Sequence, residues 1–280
     1  MKTMMTVMML TALGGFVSSA SATKVENFDT AASAAANGWV AVGNGVDGQV
    51  VGWVNDNQAG GVAGEAQYDV SRGGETSYAD NNLGMTVNGT TSGGFTMSGL
   101  LNITAIGAGG DTGFPPILGF FSSPTDYLGI MFRNEGALNW GVRFGTLADG
   151  IIAADGGGPD RNLGLNVSRT FSLTFDPSMG ANGTILASVS GAGSSISLAL
   201  DGSQRTMLNA VAFDKFGFVK PGNGASPDEF VHLRMDNVSY TGVSVVPEPS
   251  SLALLALFGA TTFGLRASRR PTTLCRQLRS

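Results

Sequence analysis

One cysteine and one histidine are all this 280-residue chain holds of the two residue types that most often carry nucleophilic or soft-metal chemistry. The lone thiol, Cys275, has no second cysteine to pair with, and with His232 as the sole imidazole it cannot complete a thiolate zinc site. A serine triad would need His232 in a cleft beside a positioned serine, and the pattern Gly-x-Ser-x-Gly is absent. Charge is also scarce. Charged residues make up 13% of the chain, 16 basic against 21 acidic, for a formal net charge of −5. An acidic chain lacks the basic patches that hold nucleic acid or an anionic membrane surface, so neither is expected as a main partner. Glycoside hydrolysis needs two carboxyls facing one groove. No Glu-x-Asp-x-x-Glu arrangement occurs, and Asp228-Glu229, which follows Pro227, reads as a turn. No apolar run reaches the roughly 20 residues that span a bilayer untilted. The nearest are Met4–Val17 and Ser251–Leu265.

Glycine is plentiful, 42 of 280 residues, and it clusters with Asn, Asp and Ser between apolar runs. That is the punctuation of many turns. The runs alternate with period two. Phe95, Met97, Leu101, Ile103 and Ala105 share one parity, with Thr96, Ser98, Asn102 and Thr104 on the other. Trp140, Val142 and Phe144 repeat the pattern, as do Phe171, Leu173 and Phe175, then Ile196, Leu198 and Leu200, then Val231, Leu233 and Met235. Alternation places each set on one face of a strand. After Met235 the apolar positions become Val238 and Tyr240, out of step across Asp236-Asn237, and a β-bulge there restores the inward face. No long stretch between the termini has helical periodicity, and Thr30–Ala36 is read as at most a short helix. Short strands with glycine-rich turns indicate one all-β sandwich or barrel.

The two ends read differently. Lys2, the apolar core Met4–Val17 and the small residues Ala20-Ser21-Ala22 form a signal-peptide pattern over 1–22, with cleavage expected after Ala22. At the other end Val246-Pro247-Glu248-Pro249 precedes the apolar run, which is followed by Arg266, Arg269 and Arg270. The prolines bar helix extension toward the N-terminus, and the arginines suit a cytoplasmic stop. This tripartite end, residues 247–270, resembles the PEP-CTERM sorting signal of exported Gram-negative bacterial proteins; residues 271–280 add a basic tail. The resemblance implies the export translocon, signal peptidase and an exosortase as partners. It also implies a membrane-anchored precursor that ends at the cell surface or in the extracellular matrix, and helices at both signals. The domain left between them, 23–246, is more acidic than the whole. Lys2 and arginines 266, 269, 270, 276 and 279 fall outside it, as does Glu248, leaving ten basic against twenty acidic residues.

A second resemblance lies in that domain. Arg169–Pro177, the turn at Asn182-Gly183, the strand Thr184–Ser190 and the closing Phe230–Tyr240 are similar to stretches of laminin-G/concanavalin-like jelly rolls. This implies an antiparallel jelly-roll sandwich and a carbohydrate association. Saccharide sites combine aromatic rings with amides and carboxylates. Trp53, at a strand end entering Asn55-Asp56-Asn57, and Tyr78 are the ring candidates, whereas Trp140 has core parity. Oxygens of Asp56, Asn57, Asp80 and Asn82 could supply a calcium ion, although no EF-hand spacing supports one, and no other cofactor is indicated. His232 is read as a solvent-facing residue of the last strand. The expectation is a non-enzymatic surface protein that binds polysaccharide; the alternatives are a structural or adhesive protein without a specific ligand, or a carbohydrate-active hydrolase or lyase.

Overall fold

The computed structural model describes residues 21–43, 49–70, 75–90, 93–107, 116–134, 138–146, 150–155, 162–193, 195–220 and 230–244. All belong to one unit that ends at Ser244. Ala20, the motif Val246–Pro249, the arginines at 266, 269 and 270, the tail 271–280 and both expected terminal helices lie outside the described residues.

In chain order the elements are β1 (Ser21–Glu26), α1 (Ala31–Ala36), β2 (Trp39–Val42), β3 (Val50–Val54), β4 (Glu65–Val70), β5 (Thr76–Asp80), β6 (Met85–Thr86) and β7 (Phe95–Ile106). Then follow β8 (Ile117–Ser123), β9 (Asp126–Asn134), β10 (Leu138–Thr146), β11 (Gly150–Asp155), β12 (Arg169–Asp176), β13 (Thr184–Val189), β14 (Ile196–Ala199), α2 (Gly202–Ala210), β15 (Lys215–Lys220) and β16 (Val231–Ser244). The first sheet runs β14-β13-β12-β7-β16-β4-β3, with β1 and β6 also paired to β16; the second runs β11-β10-β9-β8-β15-β5-β2. Ala22, the last residue of the expected signal, pairs with Gly242 in β1.

Alternation builds the core between the sheets. Phe95, Met97, Phe171, Leu173, Phe175, Leu233 and Met235 meet Phe120, Phe132, Trp140, Phe144, Phe216 and Phe218, all buried. Trp140 has its polar edge satisfied, since Nε1 donates to the Ala192 carbonyl at 2.8 Å. Such buried rings supply most of the apolar area withdrawn from water.

Two register steps shape β16. The phase change at Asp236-Asn237 is a bulge, with Asp236 opposite Leu100 and Ser239 opposite Ser98. Asn237 takes φ +49 there, and Val238 and Tyr240 return to the core, 0% and 1% exposed. A second step lies between His232 and Leu233, which face Ala105 and Ile103. Ala105 therefore shares a face with His232 rather than with Ile103, contrary to its parity in the sequence.

The short helix at 30–36 is present, with Thr30 as its N-cap. A second short helix, α2, of nine residues, was not singled out from the sequence. Asp201 caps it by accepting from the Gln204 amide, and Gln204 reaches back to the Asp201 amide at 2.9 Å. This reciprocal capping box is a local signal that apolar periodicity does not register.

Candidate functional site

On β16 the residues that alternate with the buried Val231, Leu233 and Met235 point away from the core. They are His232, Arg234 and Asp236. In register, Asp69 of β4 lies opposite His232 and Gln67 opposite Arg234. Across the other edge of β16, Ala105 faces His232 and Asn102 faces Arg234. Val50 of β3 flanks Asp69 and is 49% exposed. A polar patch thus occupies the outer face of the first sheet.

Arg234 is its centre. Both Nη atoms donate to the Asp69 carboxylate, Nη2 at 3.2 Å, and Nε lies 3.4 Å from Glu65 Oε1. Gln67 Nε2 donates to Asp69 as well. A forked guanidinium–carboxylate pair fixes both side chains in one plane.

The loop 55–64 closes over one end of this patch. Gly64 N donates to the Asp56 carbonyl at 2.8 Å, which closes the loop on itself. Asn102 Nδ2 donates to the Gln58 carbonyl at 2.6 Å, and Ala59 N donates to Glu65 Oε2 at 2.7 Å. Glu65 is wholly buried beneath it. Burial raises its carboxyl above the ordinary range, opposed by the Ala59 amide and by Arg234. Asp56 moves the other way, lowered first by the Asn57 amide and then by Gln58. Asp236, 1% exposed, is pushed up to about 6 by burial, against the Asn237 amide. Asn102, 5% exposed, keeps Oδ1 without a hydrogen-bond partner. An orphaned acceptor of this kind costs free energy unless a donor reaches it.

At the other end of the patch the rings of Phe230 and His232 lie 5.3 Å apart at 48°, and both residues are half-buried. A ring pair beside amide, carboxylate and guanidinium groups offers stacking surface and hydrogen-bond partners together.

The residues singled out from sequence fall in three places. Asn55, Asp56 and Asn57 lie on the loop that borders the patch, Asp56 close enough to feel the Arg234 charge. Trp53 does not present its polar edge outward; its Nε1 donates to the Phe28 carbonyl at 2.6 Å. Tyr78 is 4% exposed and packs in the core against Trp39 and Phe28, so it cannot stack on a ligand. Asp56 and Asp80 are not brought together. Asp80 is wholly buried on the inner face of β5, where it takes Lys24 Nζ, the Tyr240 hydroxyl and the Asn82 amide. The described residues contain no cluster of three acidic, His or Cys side chains able to hold a metal. His232 faces outward, as its parity implied. Gln67, Asp69, Asn102 and Arg234 were missed, although Glu65-x-Gln67-x-Asp69 and His232-x-Arg234-x-Asp236 are polar at every second position.

Two antiparallel sheets, with β16 interior to one and β15 between β8 and β5 in the other, define an all-β jelly-roll sandwich. No known family model matches the chain, and no curated protein matches it. Among solved structures it is similar to peanut lectin, at 12% identity and TM-score 0.49, over 79% of this chain and 97% of that one. It is similar to the cellulose-induced protein Cip1, at 13% identity and TM-score 0.48, over 78% and 96%. A third is the alginate lyase of Klebsiella pneumoniae, at 13% identity and TM-score 0.42, over 64% and 81%.

Proposed function

We propose that this chain is an exported surface protein that binds polysaccharide on the outer face of its first sheet. The observation that carries the reading is the Phe230–His232 ring pair beside the Gln67–Asp69–Arg234 network. A pyranose ring needs an apolar platform for its C–H face and in-plane partners for its hydroxyls, and this patch offers both. The export signals suit a protein working in a surface matrix: the 1–22 pattern directs secretion, and Val246-Pro247-Glu248-Pro249 with Arg266, Arg269 and Arg270 directs sorting.

Retention of the 23–246 protein on a polysaccharide panel tests the binding, with chelator added to detect any calcium dependence. Retention that His232→Ala abolishes supports the reading. No retention leaves the structural or adhesive alternative. Mass spectrometry of the secreted form should find Thr23 first and no Arg266, whereas intact ends in a soluble cytoplasmic pool would sink the sorting proposal.

The hydrolase alternative needs two carboxyls presented to one groove. Glu65 and Asp69 share a face of β4, but Glu65 is wholly buried and bonded to the Ala59 amide. Glu65 is closed off while the 55–64 loop is in place. Release of reducing ends or unsaturated products from the same panel would instead establish an enzyme.

A further inference from the structure

We propose that Asp69 sets the charge selectivity of this face, so that its ligand is a neutral polysaccharide and polyuronates are excluded. The inference rests on the binding reading above. A free guanidinium fork is the natural partner of a uronate carboxylate, because two parallel N–H groups match its two oxygens. Here that fork is occupied: Nη1 and Nη2 both go to Asp69, and Nε faces Glu65 at 3.4 Å. The Nη edge of Arg234 is therefore closed to an incoming carboxylate by Asp69, and its Nε is buried without a hydrogen-bond partner among the described residues.

The remaining groups reinforce the exclusion. His232 and Arg234 are the only cationic or titratable bases among the described residues of the patch, whereas Asp56, Glu65, Asp69 and Asp236 border it. A polyanion would approach an excess of like charge. The hydrogen-bonding balance points the same way. The half-buried Asp69 carboxylate is acceptor-only. Sugar hydroxyls supply the donors such a surface lacks; a uronate carboxylate adds one more acceptor.

The test uses the full chain and two probes at low salt, a neutral β-glucan and alginate. Wild type should be retained by the glucan and not by alginate. Asp69→Asn frees the guanidinium while keeping the side-chain shape, and should gain alginate retention by on the order of fivefold, an effect that fades as salt screens it. The double variant Asp69→Asn with Arg234→Gln should lose that gain, which assigns it to Arg234. Asp69→Ser serves in place of Asp69→Asn should the latter fail to melt cooperatively. Wild-type retention on alginate equal to that on glucan overturns the proposal, as does a folded Asp69 variant with no gain. Retention on neither probe removes the binding reading itself, and this selectivity with it.

Discussion

The Tyr240 hydroxyl donates to Asp80 Oδ2 at 2.7 Å and joins the two sheets through the core. Tyr240 comes from β16 of the first sheet and Asp80 from β5 of the second. Tyr240 also stacks on Phe216, with ring centroids 4.1 Å apart at 26°. Burial, and next the Asp80 charge, hold the phenol protonated well above its usual range, so it remains a donor at any working pH. Asp80 in turn anchors Lys24 of β1, whose ammonium also donates to the Asn82 carbonyl at 2.7 Å. Tyr240→Phe keeps the ring and deletes the donor to a buried carboxylate, at an expected cost of about 1.5–3 kcal/mol. Chemical denaturation should show a lower midpoint with an unchanged slope. An unchanged midpoint would mean that Lys24 and the Asn82 amide suffice for Asp80.

Asp236 makes stability depend on pH. Its carboxyl titrates near 6 in the folded protein, against an ordinary 3.8, chiefly because it is buried. Between those values the native state binds more protons than the unfolded chain, so stability falls as pH rises from about 4 to about 6 and then levels off. The charges of Asp29 and Glu26 add to the shift, while the Asn237 and Val62 amides oppose it. Asp236→Asn removes this dependence. Its melting temperature relative to wild type should therefore climb across that window and stay flat above it. Glu65 shifts in the same direction but is present in both proteins, so it cancels in the difference. A difference that is constant from pH 4 to 7 would show that Asp236 titrates normally.

The loop over the patch leaves no room at Gly61. A Cβ there would lie 1.6 Å from Asp236 Oδ2 and 2.5 Å from Asn237 Nδ2. Gly61→Ala must move either the loop or the bulge, at about 1–3 kcal/mol by the usual cost of overpacking. Amide exchange should quicken at Ala59 and Val62, whose N–H groups the carboxylates of Glu65 and Asp236 hold. Exchange indistinguishable from wild type would mean that the loop accommodates the methyl without losing either clamp.

The core was legible from the alternation of single residues. Phe171, Leu173 and Phe175, or Trp140, Val142 and Phe144, have one parity in the sequence and one face in the fold, because a strand's period of two needs no partner to be read. The bulge was legible too, since Val238 and Tyr240 had to regain the inward face. Ala105 was misplaced because its parity flips at a register step against β16, and register belongs to a pair of strands rather than to one. The patch was hidden for the same reason. Arg234 meets Asp69 across 165 positions of sequence, and nothing local to either residue announces the other. Tyr78 misled because a tyrosine among polar neighbours reads as exposed, whereas Asp80 beside it faces inward too, satisfied by Lys24 and Tyr240.

Trp53 separates scaffold from site. It was the leading ring for a saccharide, yet its indole N–H is committed to the Phe28 carbonyl at 2.6 Å, and part of the ring packs on the core. Phe28 itself sits at φ +54, in the left-handed region that costs a non-glycine residue about 1–2 kcal/mol. The Trp53 bond is one of the contacts that hold it there, with Glu26 accepting from the Phe28 amide at 2.7 Å as another. Trp53→Phe keeps most of the packing and loses the bond, so about 1 kcal/mol of stability should go. Polysaccharide retention should not change, because Trp53 touches neither the ring pair nor the Arg234 network. His232→Ala should do the reverse, abolishing retention while leaving the melting temperature within a few degrees of wild type. If Trp53→Phe instead lost retention at full stability, the ligand face would lie at the end of β3, and the Phe230–His232 patch would be the wrong surface.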